Sequence, residues 1–443
     1  MNIFFEYEKK QYKGSFLDSP EDREEFEKVL NSIWKERNHF GLTSVYFDDE
    51  DLSEQQFFSF YDTYVKAGKY IGTIKYGNNV IHILPKTFES STIKYSTEQL
   101  LEMTNKNLLW WLSRCSKIKF PKTFSGWNTM DFSFLDVLIH LFATLTRDDL
   151  IYNKHQSYVE KEESIGTLRG RLDFSKYASN YFTGNAHVLP CIYYSLEIDN
   201  LYNQIVKFTS RLLLQNTDND ELKKILQEII WILEDVNDVF LNASDCDRVV
   251  ISPLNDNMKI IMDYCRMFMS GMSIKSIEND LEIFTFLILT EKLFEDFLFG
   301  FIKDKFQYNP NILAIQNQGN GKGNKIPLAI EKDKFGKKLS DAFKLKPDIY
   351  IRMESKDIIL DSKYKAIYSK EEAMENDRNN NGVLISDIYQ MLAYTVKLDV
   401  NICHLIYPDI LGVNDKLGSH YEITHYNQKG ISKIYYHRVQ TLI

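Results

Sequence analysis

The sequence has little proline, glycine or cysteine, and these shortages exclude several classes of protein. Only 9 of the 443 residues are proline and 19 are glycine, far fewer than a collagen-like or low-complexity disordered chain carries. Hydrophobic residues make up 44% of the chain and aromatic residues 14%, which is enough to bury substantial cores. Because a chain of this length exceeds one ordinary core, the sequence predicts two or three folded domains.

Positive charge is also in short supply. Lysine and arginine total 53 against 62 aspartates and glutamates, which gives a formal net charge of -9. A chain that binds nucleic acid over a broad surface is usually basic, and this one is not. Any contact with DNA is therefore expected from local basic patches or from a partner.

The cysteines and the apolar runs indicate a protein of the cytoplasm. The five cysteines are odd in number, far apart and without metal-binding spacing, which favours reduced, buried thiols. The opening MNIFFEYEKK places acids directly after a short apolar run, unlike a signal peptide. The most apolar stretches, such as Phe284–Leu289, are far shorter than the roughly 20 residues that span a bilayer. We therefore expect a soluble cytoplasmic protein.

Hydrophobic periodicity and turn signals divide the chain into three segments and predict an α+β multidomain protein. Residues 1–155 read as a β-rich and helical N-terminal domain, with a hairpin over 69–86. Residues 156–275 begin as an extended polar segment around Thr167–Arg171 and continue as a helical bundle. Residues 276–443 alternate helices and strands, which predicts an α/β core.

The elements of this last segment follow in a simple order. A helix leads to a strand, then to two adjacent strands, a second helix and an apolar strand. The predicted ranges are, in that order, Asp280–Lys303, Ile312–Gln316, Lys344–Arg352, Asp357–Tyr364, Leu384–Leu398 and Ile402–Tyr407.

The chemistry is concentrated on the two adjacent strands. Lys346-Pro347-Asp348 lies on the first, and Asp361-Ser362-Lys363 ends the second. Residues two apart in a strand share a face, so Asp361 and Lys363 should project together while Ser362 points away. A hairpin turn would bring Asp348 beside Asp361, and two converging carboxylates favour a bound Mg²⁺ ion. The lysine could orient or help deprotonate a metal-bound water and neutralise charge building on a phosphate.

The acid-x-lysine triplet is not specific on its own. The same spacing occurs at Glu8–Lys10, Glu221–Lys223 and Glu354–Lys356, where no chemistry is expected. The following helix adds Gln390 and Tyr394, four residues apart and therefore on one face. The alternative is an exposed hairpin with solvated charges, and only the complete set favours a catalytic site.

This set resembles the PD-(D/E)xK nuclease superfamily, in the branch whose helix carries a Gln/Tyr motif. The resemblance implies that an acid on the first core helix completes the metal site. Glu295, in Leu293-Phe294-Glu295-Asp296-Phe297, is the first candidate, and Glu291 is the alternative. It also implies that the main-chain carbonyl of Ser362 is a metal ligand and that Mg²⁺ is the cofactor.

A wider resemblance covers most of the chain. Short motifs occur in the same order as in the McrC family, the nuclease subunits of McrBC-type restriction systems. They are Tyr70-Ile71-Gly72, Leu84-Pro85-Lys86, Leu168-Arg169-Gly170-Arg171, Pro190-Cys191, Asp199-Asn200, Asn203-Gln204, Lys207, and then LFE, KPD, DSKYK and SDIYQMLAY. The resemblance implies that this chain cuts DNA. A separate AAA+ GTPase would form a ring, bind the N-terminal part of this chain and be stimulated by it.

Nothing in the sequence suggests that the chain binds a nucleotide itself, since it contains no G-x-x-x-x-G-K-[ST] motif. Arg169 and Arg171 are candidates for contact with the partner near its GTP. Alternatively, they pair with nearby acids, of which Asp173 is one.

A second candidate surface binds DNA. Residues 301–346 hold ten lysines against four acids, so Lys322, Lys325, Lys337 and Lys338 could hold phosphates without reading sequence. The alternative is an ordinary solubilising loop.

Two other functions remain open from the sequence. One is a catalytically silent regulator that uses the nuclease fold to activate its partner, which an intact acid-acid-lysine set disfavours. The other is a stand-alone repair nuclease, which the long chain before the core disfavours. The DNA sequence or modification recognised is not encoded in any motif found here.

Overall fold

The computed structural model describes thirteen ranges of the chain and combines helices with sheets, as predicted. These ranges are 2–36, 54–77, 79–89, 95–115, 134–153, 155–217, 219–251, 256–272, 283–317, 326–365, 382–409, 420–424 and 431–439. They form two compact units. Unit 1 combines residues from 1–37, 45–133 and 281–443, and unit 2 lies mainly within 134–280. The three consecutive segments expected from the sequence do not coincide with these units, because unit 1 joins both ends of the chain.

A four-stranded sheet in unit 1 joins those two ends. The expected hairpin is present, as antiparallel β5 (Tyr70–Tyr76) and β6 (Asn79–Leu84). The N-terminal strand β1 (Asn2–Phe5) pairs with β6 in parallel. On the other side β5 pairs antiparallel with β10 (Ile283–Leu289), which lies more than 200 residues later in the chain.

Strand β10 corrects the sequence-based assignment of a helix over Asp280–Lys303. The helix α8 begins only at Thr290 and ends at Phe306. The run IFTFLIL before it is rich in β-branched and aromatic residues, which favour a strand once a partner edge is available. Periodicity alone does not separate a short buried strand from a buried helix.

The rest of the N-terminal part packs aromatic side chains around this sheet. Helix α1 (Pro20–Glu36) begins after Ser19, whose hydroxyl accepts the Asp22 N–H at 3.0 Å. Phe26 of α1 is fully buried, with its ring 5.1 Å from Tyr76. A three-stranded sheet contains β2 (Lys9–Gln11), β3 (Phe58–Phe60) and β4 (Tyr64–Ala67), with β4 in the centre.

Helix α2 (Thr97–Arg114) packs against α8 through aromatic rings. Trp111 is completely buried, and its ring stacks on Phe297 at 5.5 Å. Trp110 meets Phe297 edge to face at 4.9 Å. Both tryptophans therefore contribute to the packing of α2 against α8. Because the Trp111 ring is completely buried, it cannot stack on a nucleic-acid base.

The C-terminal part of unit 1 is a mixed six-stranded sheet in the order β11-β14-β15-β16-β18-β17. Strands β15, β16 and β18 are parallel, and the remaining neighbours are antiparallel. The strands are β11 (Ile312–Asn317), β14 (Ile349–Met353), β15 (Ile358–Ser362), β16 (Ile402–Pro408), β17 (His420–Thr424) and β18 (Ile431–Val439). Helix α9 (Ile385–Leu398) covers one face, burying Met391 and Tyr394 against Ile359 and Leu405.

A separate two-stranded sheet precedes β14. It consists of β12 (Ile326–Lys332) and β13 (Lys338–Leu345). The strand expected over Lys344–Arg352 is thus two strands, since Lys344 and Leu345 end β13 and β14 starts at Ile349. Pro347, which cannot donate a ladder hydrogen bond, lies in the break between them.

Unit 2 combines a three-stranded sheet with a helical bundle. The sheet contains β7 (Ser157–Ile165), β8 (Arg171–Leu172) and β9 (Leu189–Glu197), with β9 in the centre. Helix α4 (Phe174–Phe182) interrupts the segment expected to be extended, and the side chain of Asp173 caps its first turn. The bundle consists of α3 (Phe134–Tyr152), α5 (Leu201–Asn216), α6 (Asp220–Ile232) and α7 (Asp256–Met272).

Two expectations from composition can be compared with the structure. All five cysteines are buried free thiols, as expected. Among the helices of the described ranges, none combines the length and the apolar character that crossing a bilayer requires.

Candidate active site

The β14–β15 hairpin brings the two aspartates of the site together. Ile349 pairs with Leu360, so Asp348 and Asp361 occupy adjacent positions just beyond this pair. Both are buried, with 8% and 1% of their surface exposed. The side chain of Ser362 does not point away as expected, since its main-chain N–H and its hydroxyl both donate to Asp348 Oδ2 at 2.7 Å. Strand β15 ends at this serine, so the strict alternation of faces ends there too.

Lys363 is held from three sides. Its main-chain N–H donates to the Ile406 carbonyl of β16 at 2.8 Å, which fixes the backbone directly after β15. Its ammonium forms an ion pair with Asp361 and donates to Gln390 Oε1 at 3.0 Å. The structure therefore brings Asp361 and Lys363 together, as the sequence predicted.

Helix α9 supplies the other polar contacts. The Gln390 amide donates to the Tyr394 hydroxyl at 2.8 Å and to Asp361 Oδ1 at 3.4 Å. Gln390 thus bridges the lysine and the aspartate. The Tyr394 hydroxyl, on a side chain only 1% exposed, holds the Gln390 amide from the core side. The four-residue spacing read from the sequence places both side chains on the same face of α9, toward the hairpin.

Burial and proximity shift the charges of this cluster. Burial, and then the charge of Asp348, raise the pKa of Asp361, against the opposing effect of Lys363. Burial alone would lower the pKa of Lys363, but the Asp361 carboxylate outweighs it and raises that pKa. The lysine therefore stays protonated at neutral pH. It is suited to donate hydrogen bonds and stabilise negative charge, rather than to accept a proton.

A cavity of about 340 Å³ opens beside the cluster. Its wall includes Asp348, Ser362 and Lys363 from the hairpin, and both Glu291 and Glu295 from α8. The two glutamates are one helical turn apart, Glu291 exposed and Glu295 half-buried. Both alternatives for the third acid therefore remain, because both face the cavity.

The donors around this cavity fit a magnesium ion. Asp361 Oδ2 is buried and forms its ion pair with the Lys363 ammonium, so a cation already partly neutralises this carboxylate. Asp348, Ser362 and the two glutamates add only oxygen ligands, which Mg²⁺ prefers. Within the described ranges no three acids, histidines or cysteines are close enough to form a complete cluster.

The sequence did not point to two further lysines in the wall of the cavity, Lys292 and Lys365. Lys365 donates to both oxygens of Asp387 on α9 at 3.0 and 3.1 Å. Asp387 is 4% exposed and also accepts a hydrogen bond from Tyr407. Lys365 and Asp387 lie inside motifs that the sequence does show, DSKYK and SDIYQMLAY. Their pairing depends on contact between β15 and α9, which no spacing along the chain reveals.

The candidate partner-binding arginines lie in unit 2. Arg169 and Arg171 are exposed at the tight turn leading into β8, where Gly170 adopts a φ of +66°. A Cβ at Gly170 would lie 2.4 Å from the Ile192 carbonyl oxygen, so the turn requires glycine. The guanidinium of Arg169 stacks on Tyr193 at 4.1 Å. Within the described part of unit 2 neither arginine forms an ion pair with Asp173 or the glutamates of β7, which was the alternative reading.

The candidate DNA-binding lysines are only partly described. Lys337 and Lys338 are exposed at the turn of the β12–β13 hairpin, and Lys338 forms an ion pair with Asp341 at 2.6 Å. Neither lines the cavity. Lys322 and Lys325 lie outside the described residues.

Solved structures similar to this chain come from restriction complexes. A chain in an assembly of Thermococcus gammatolerans McrB AAA+ hexamers with bound McrC matches with a TM-score of 0.69. It is 18% identical, over 99% of this chain and 95% of that one. A chain of the Thermococcus gammatolerans McrBC complex matches with a TM-score of 0.52 and 21% identity, over 68% of this chain and 86% of that one. At such identities the likeness concerns the fold.

Comparison of the sequence itself identifies the family. No curated protein matches it. A family model, described as McrBC 5-methylcytosine restriction system component, matches residues 65–408. Because that match spans well over half of the chain, the chain belongs to the McrBC restriction component family, and the McrC resemblance read from its motifs is confirmed.

Proposed function

We propose that this chain is the nuclease subunit of a McrBC-type restriction system and hydrolyses phosphodiester bonds in DNA with Mg²⁺. The observation that carries the proposal is the buried Asp348–Asp361–Lys363–Gln390 cluster, which opens into a cavity lined by two further acids. The C-terminal α/β part of unit 1 would then be a PD-(D/E)xK core. The resemblance of its motifs, in the same order, supports this assignment.

Each residue of the cluster has a distinct role in this proposal. Asp348, Asp361 and one of Glu291 and Glu295 would hold the ion, with the carbonyl of Ser362 as a further ligand. Bound Mg²⁺ would polarise the phosphate and lower the pKa of the attacking water. Lys363, kept protonated by Asp361, would donate to a phosphate oxygen and stabilise the charge that develops there.

The residues of α9 would act through Lys363 and Asp361. Gln390 contacts both the lysine ammonium and the aspartate carboxylate, and Tyr394 fixes the Gln390 amide. Such positioning limits the number of orientations that the lysine samples before reaction. Removal of Gln390 should therefore lower the rate of cleavage rather than the affinity for DNA.

We also propose that an AAA+ GTPase ring is the partner. The similar chains come from the Thermococcus gammatolerans McrBC complex and from an assembly of its McrB AAA+ hexamers with bound McrC. Around Arg169 and Arg171, large apolar side chains are exposed: Tyr158 by 73%, Phe174 by 76%, Phe182 by 86% and Tyr194 by 64%. Exposed apolar groups next to cationic ones are typical of a protein–protein contact.

DNA would be held by lysines outside the catalytic cluster. The β12–β13 hairpin carries Lys337 and Lys338 at its tip, and such exposed lysines contact phosphates without selecting a sequence. Which DNA is cut would then depend on the partner.

The test replaces site residues in the complex reconstituted with the proposed AAA+ GTPase partner. Asp361→Asn and Lys363→Ala should each reduce Mg²⁺-dependent cleavage by at least about 10³-fold, since such groups act as a unit. Binding to the partner and stimulation of GTP hydrolysis should stay unchanged. Lys356→Ala is the matched control, because Glu354–Lys356 has the same acid-x-lysine spacing but lies in the hairpin turn.

Three results would contradict this proposal in different ways. Full cleavage by both site variants would exclude the assigned centre. GTPase stimulation without breaks in any DNA, even by the unmodified chain, would favour a silent regulator. Equal cleavage by the purified chain without its partner would favour a stand-alone nuclease.

A further inference from the structure

Near the start of the chain, Glu6 is buried inside unit 1 and gathers hydrogen bonds from three distant segments. It follows β1 directly and is only 3% exposed. Its carboxylate accepts from the Lys86 main-chain N–H at 3.0 Å, the Thr290 hydroxyl at 2.7 Å and the Tyr364 hydroxyl at 2.8 Å. The donors lie 80, 284 and 358 residues further along the chain.

Two of these donors adjoin the candidate site. Thr290 is the first residue of α8 and immediately precedes Glu291, which lines the cavity. Tyr364 directly follows Lys363 and lines the cavity itself. Glu6 therefore joins the helix that carries the glutamates to the turn that carries the lysine.

The third donor, Lys86, also contacts Tyr364. Lys86 ends the Leu84-Pro85-Lys86 motif, and its ammonium donates to the Tyr364 main-chain carbonyl at 3.1 Å. The ammonium also lies 4.7 Å from the centre of the Tyr364 ring. Both the side chain and the backbone of Tyr364 are thus held by residues from the first 86 positions of the chain.

We propose that Glu6 is a positioning residue of the nuclease cavity: through Thr290 and Tyr364 it sets the separation between the α8 glutamates and Lys363. This inference rests on the proposed function. Glu6 does not line the cavity, so it would act on the metal and the phosphate only through the two elements it joins. The N-terminal sheet is then part of the nuclease itself, in addition to any contact it makes with a partner.

Burying the Glu6 carboxylate costs free energy, because the group loses its hydration. Apolar side chains of similar volume usually stabilise a core as well or better. A carboxylate with three directed donors instead fixes the geometry of the groups around it. Residues that support a metal ligand in this way typically change metal affinity or activity by about 10- to 100-fold when replaced.

The experiment removes one donor at a time without emptying the core. Tyr364→Phe deletes the hydroxyl but keeps a ring that packs against Phe294 at 5.9 Å. Thr290→Val deletes the other hydroxyl and keeps the branched shape. The matched control is Tyr350→Phe, because Tyr350 lies in the same sheet as β15 and loses a hydrogen bond to Asp357, away from the cavity.

Two measurements are made on each variant. Mg²⁺ binding to the chain alone, without DNA, is followed by titration calorimetry, and kcat and KM for DNA cleavage are measured in the reconstituted complex. Tyr364→Phe and Thr290→Val should each weaken Mg²⁺ binding and lower kcat by about 10-fold or more, with KM unchanged. In the double variant the losses should be less than additive, because both hydroxyls act through Glu6. Tyr350→Phe should retain both properties while losing a similar amount of thermal stability.

The outcomes separate this inference from the function on which it rests. If the unmodified chain and Tyr350→Phe bind Mg²⁺ and cut DNA, and the two test variants do so equally well, the positioning role is excluded. A loss that only follows the fall in thermal stability, as large in Tyr350→Phe as in the test variants, would also exclude it. Absence of Mg²⁺ binding and cleavage in the unmodified chain would overturn the proposed function and this inference together.

Discussion

Lys365 lies in the wall of the same cavity as Lys363, but a different carboxylate holds it. Lys363 is engaged by Asp361 and Gln390, inside the cluster. Lys365 is paired with Asp387, and about a third of its side chain, 36%, is exposed. A partly exposed ammonium fixed next to a nuclease cavity is well placed to contact a DNA phosphate beside the one that is cut.

The charge of Lys365 can be tested through the salt dependence of DNA binding. Lys365→Gln should weaken binding of the complex to any DNA sequence and reduce the slope of log K against log salt by about 1. The measurement uses the Asp361→Asn background, so that DNA is bound but not cut. Lys397→Gln is the control, because Lys397 is an exposed lysine at the end of α9, the helix that carries Asp387. An unchanged slope for Lys365→Gln would show that this lysine only pairs with Asp387.

The buried Glu6 should make the stability of the folded chain depend on pH. Burial raises its pKa from 4.5 to about 7, although the bonds from Thr290, Lys86 and Tyr364 oppose this shift. The folded protein therefore keeps the proton up to about pH 7, while the unfolded chain releases it near pH 4.5. As the pH rises from about 4.5 to about 7, the free energy of unfolding should therefore fall by about 3 kcal/mol, at about 1.4 kcal/mol per pKa unit.

This pH dependence is measured by denaturant unfolding between pH 4.5 and 8, comparing the unmodified chain with Glu6→Gln. Asp361 contributes in the same direction, since its pKa is also raised. The difference between the two proteins isolates Glu6, and the variant should show a shallower decline. Parallel curves for the two proteins would contradict the assignment.

Among the elements, the pairing of β5 with β10 places α8 at the site. Gly72 of β5 has a φ of +139°, and a Cβ there would lie 1.9 Å from the Phe286 carbonyl oxygen of β10. No side chain fits between these two backbones. The Tyr70-Ile71-Gly72 motif is thereby explained by close approach of a strand that leads directly into α8.

Gly72→Ala should therefore destabilise unit 1, by about 1–3 kcal/mol for the strained backbone alone and more if β10 must shift. Calorimetric unfolding measures the loss, and cleavage should fall with it because α8 carries Glu291 and Glu295. Gly166→Ala is the control, since no atom lies within 4 Å of a Cβ at that glycine. Wild-type stability of Gly72→Ala would mean that β5 and β10 are not paired closely.

For the whole molecule, the division into units differs from the order of the sequence. The segment 276–443 contains the entire D-x-K cluster, yet β10 pairs with β5, α8 packs on α2 and Tyr364 bonds to Glu6. In each of these contacts the partner lies within the first 115 residues of the chain. The C-terminal segment therefore lacks a large part of its own core.

A fragment of residues 276–443 should accordingly fail to fold alone, with no cooperative unfolding transition and no cleavage. Residues 134–280, by contrast, supply most of the internal contacts of unit 2 and should unfold cooperatively as a fragment. Circular dichroism during thermal unfolding distinguishes the two. A stable, cooperatively folded 276–443 fragment would show that the N-terminal sheet is not needed by the C-terminal core.

Local chemistry determined much of this protein from the sequence alone. The hairpin over 69–86, the paired strands around Asp348 and Asp361, and the Gln390–Tyr394 face of α9 follow from periods of 2 and 3.6 residues. Short-range spacing did not point to the two glutamates that line the cavity, which came from the family resemblance. Nor did this spacing separate the triplet at the site from its look-alikes. Glu221–Lys223 lies on the helix α6, where residues two apart do not share a face.

Only the tertiary structure decided which distant segments complete the site. The strand character of β10, the pairing of Lys365 with Asp387 and the three bonds to Glu6 all depend on contacts between segments far apart in the chain. Such contacts form because apolar faces must be buried and buried polar groups must find partners. Neither requirement specifies from the sequence which of many compatible segments will meet.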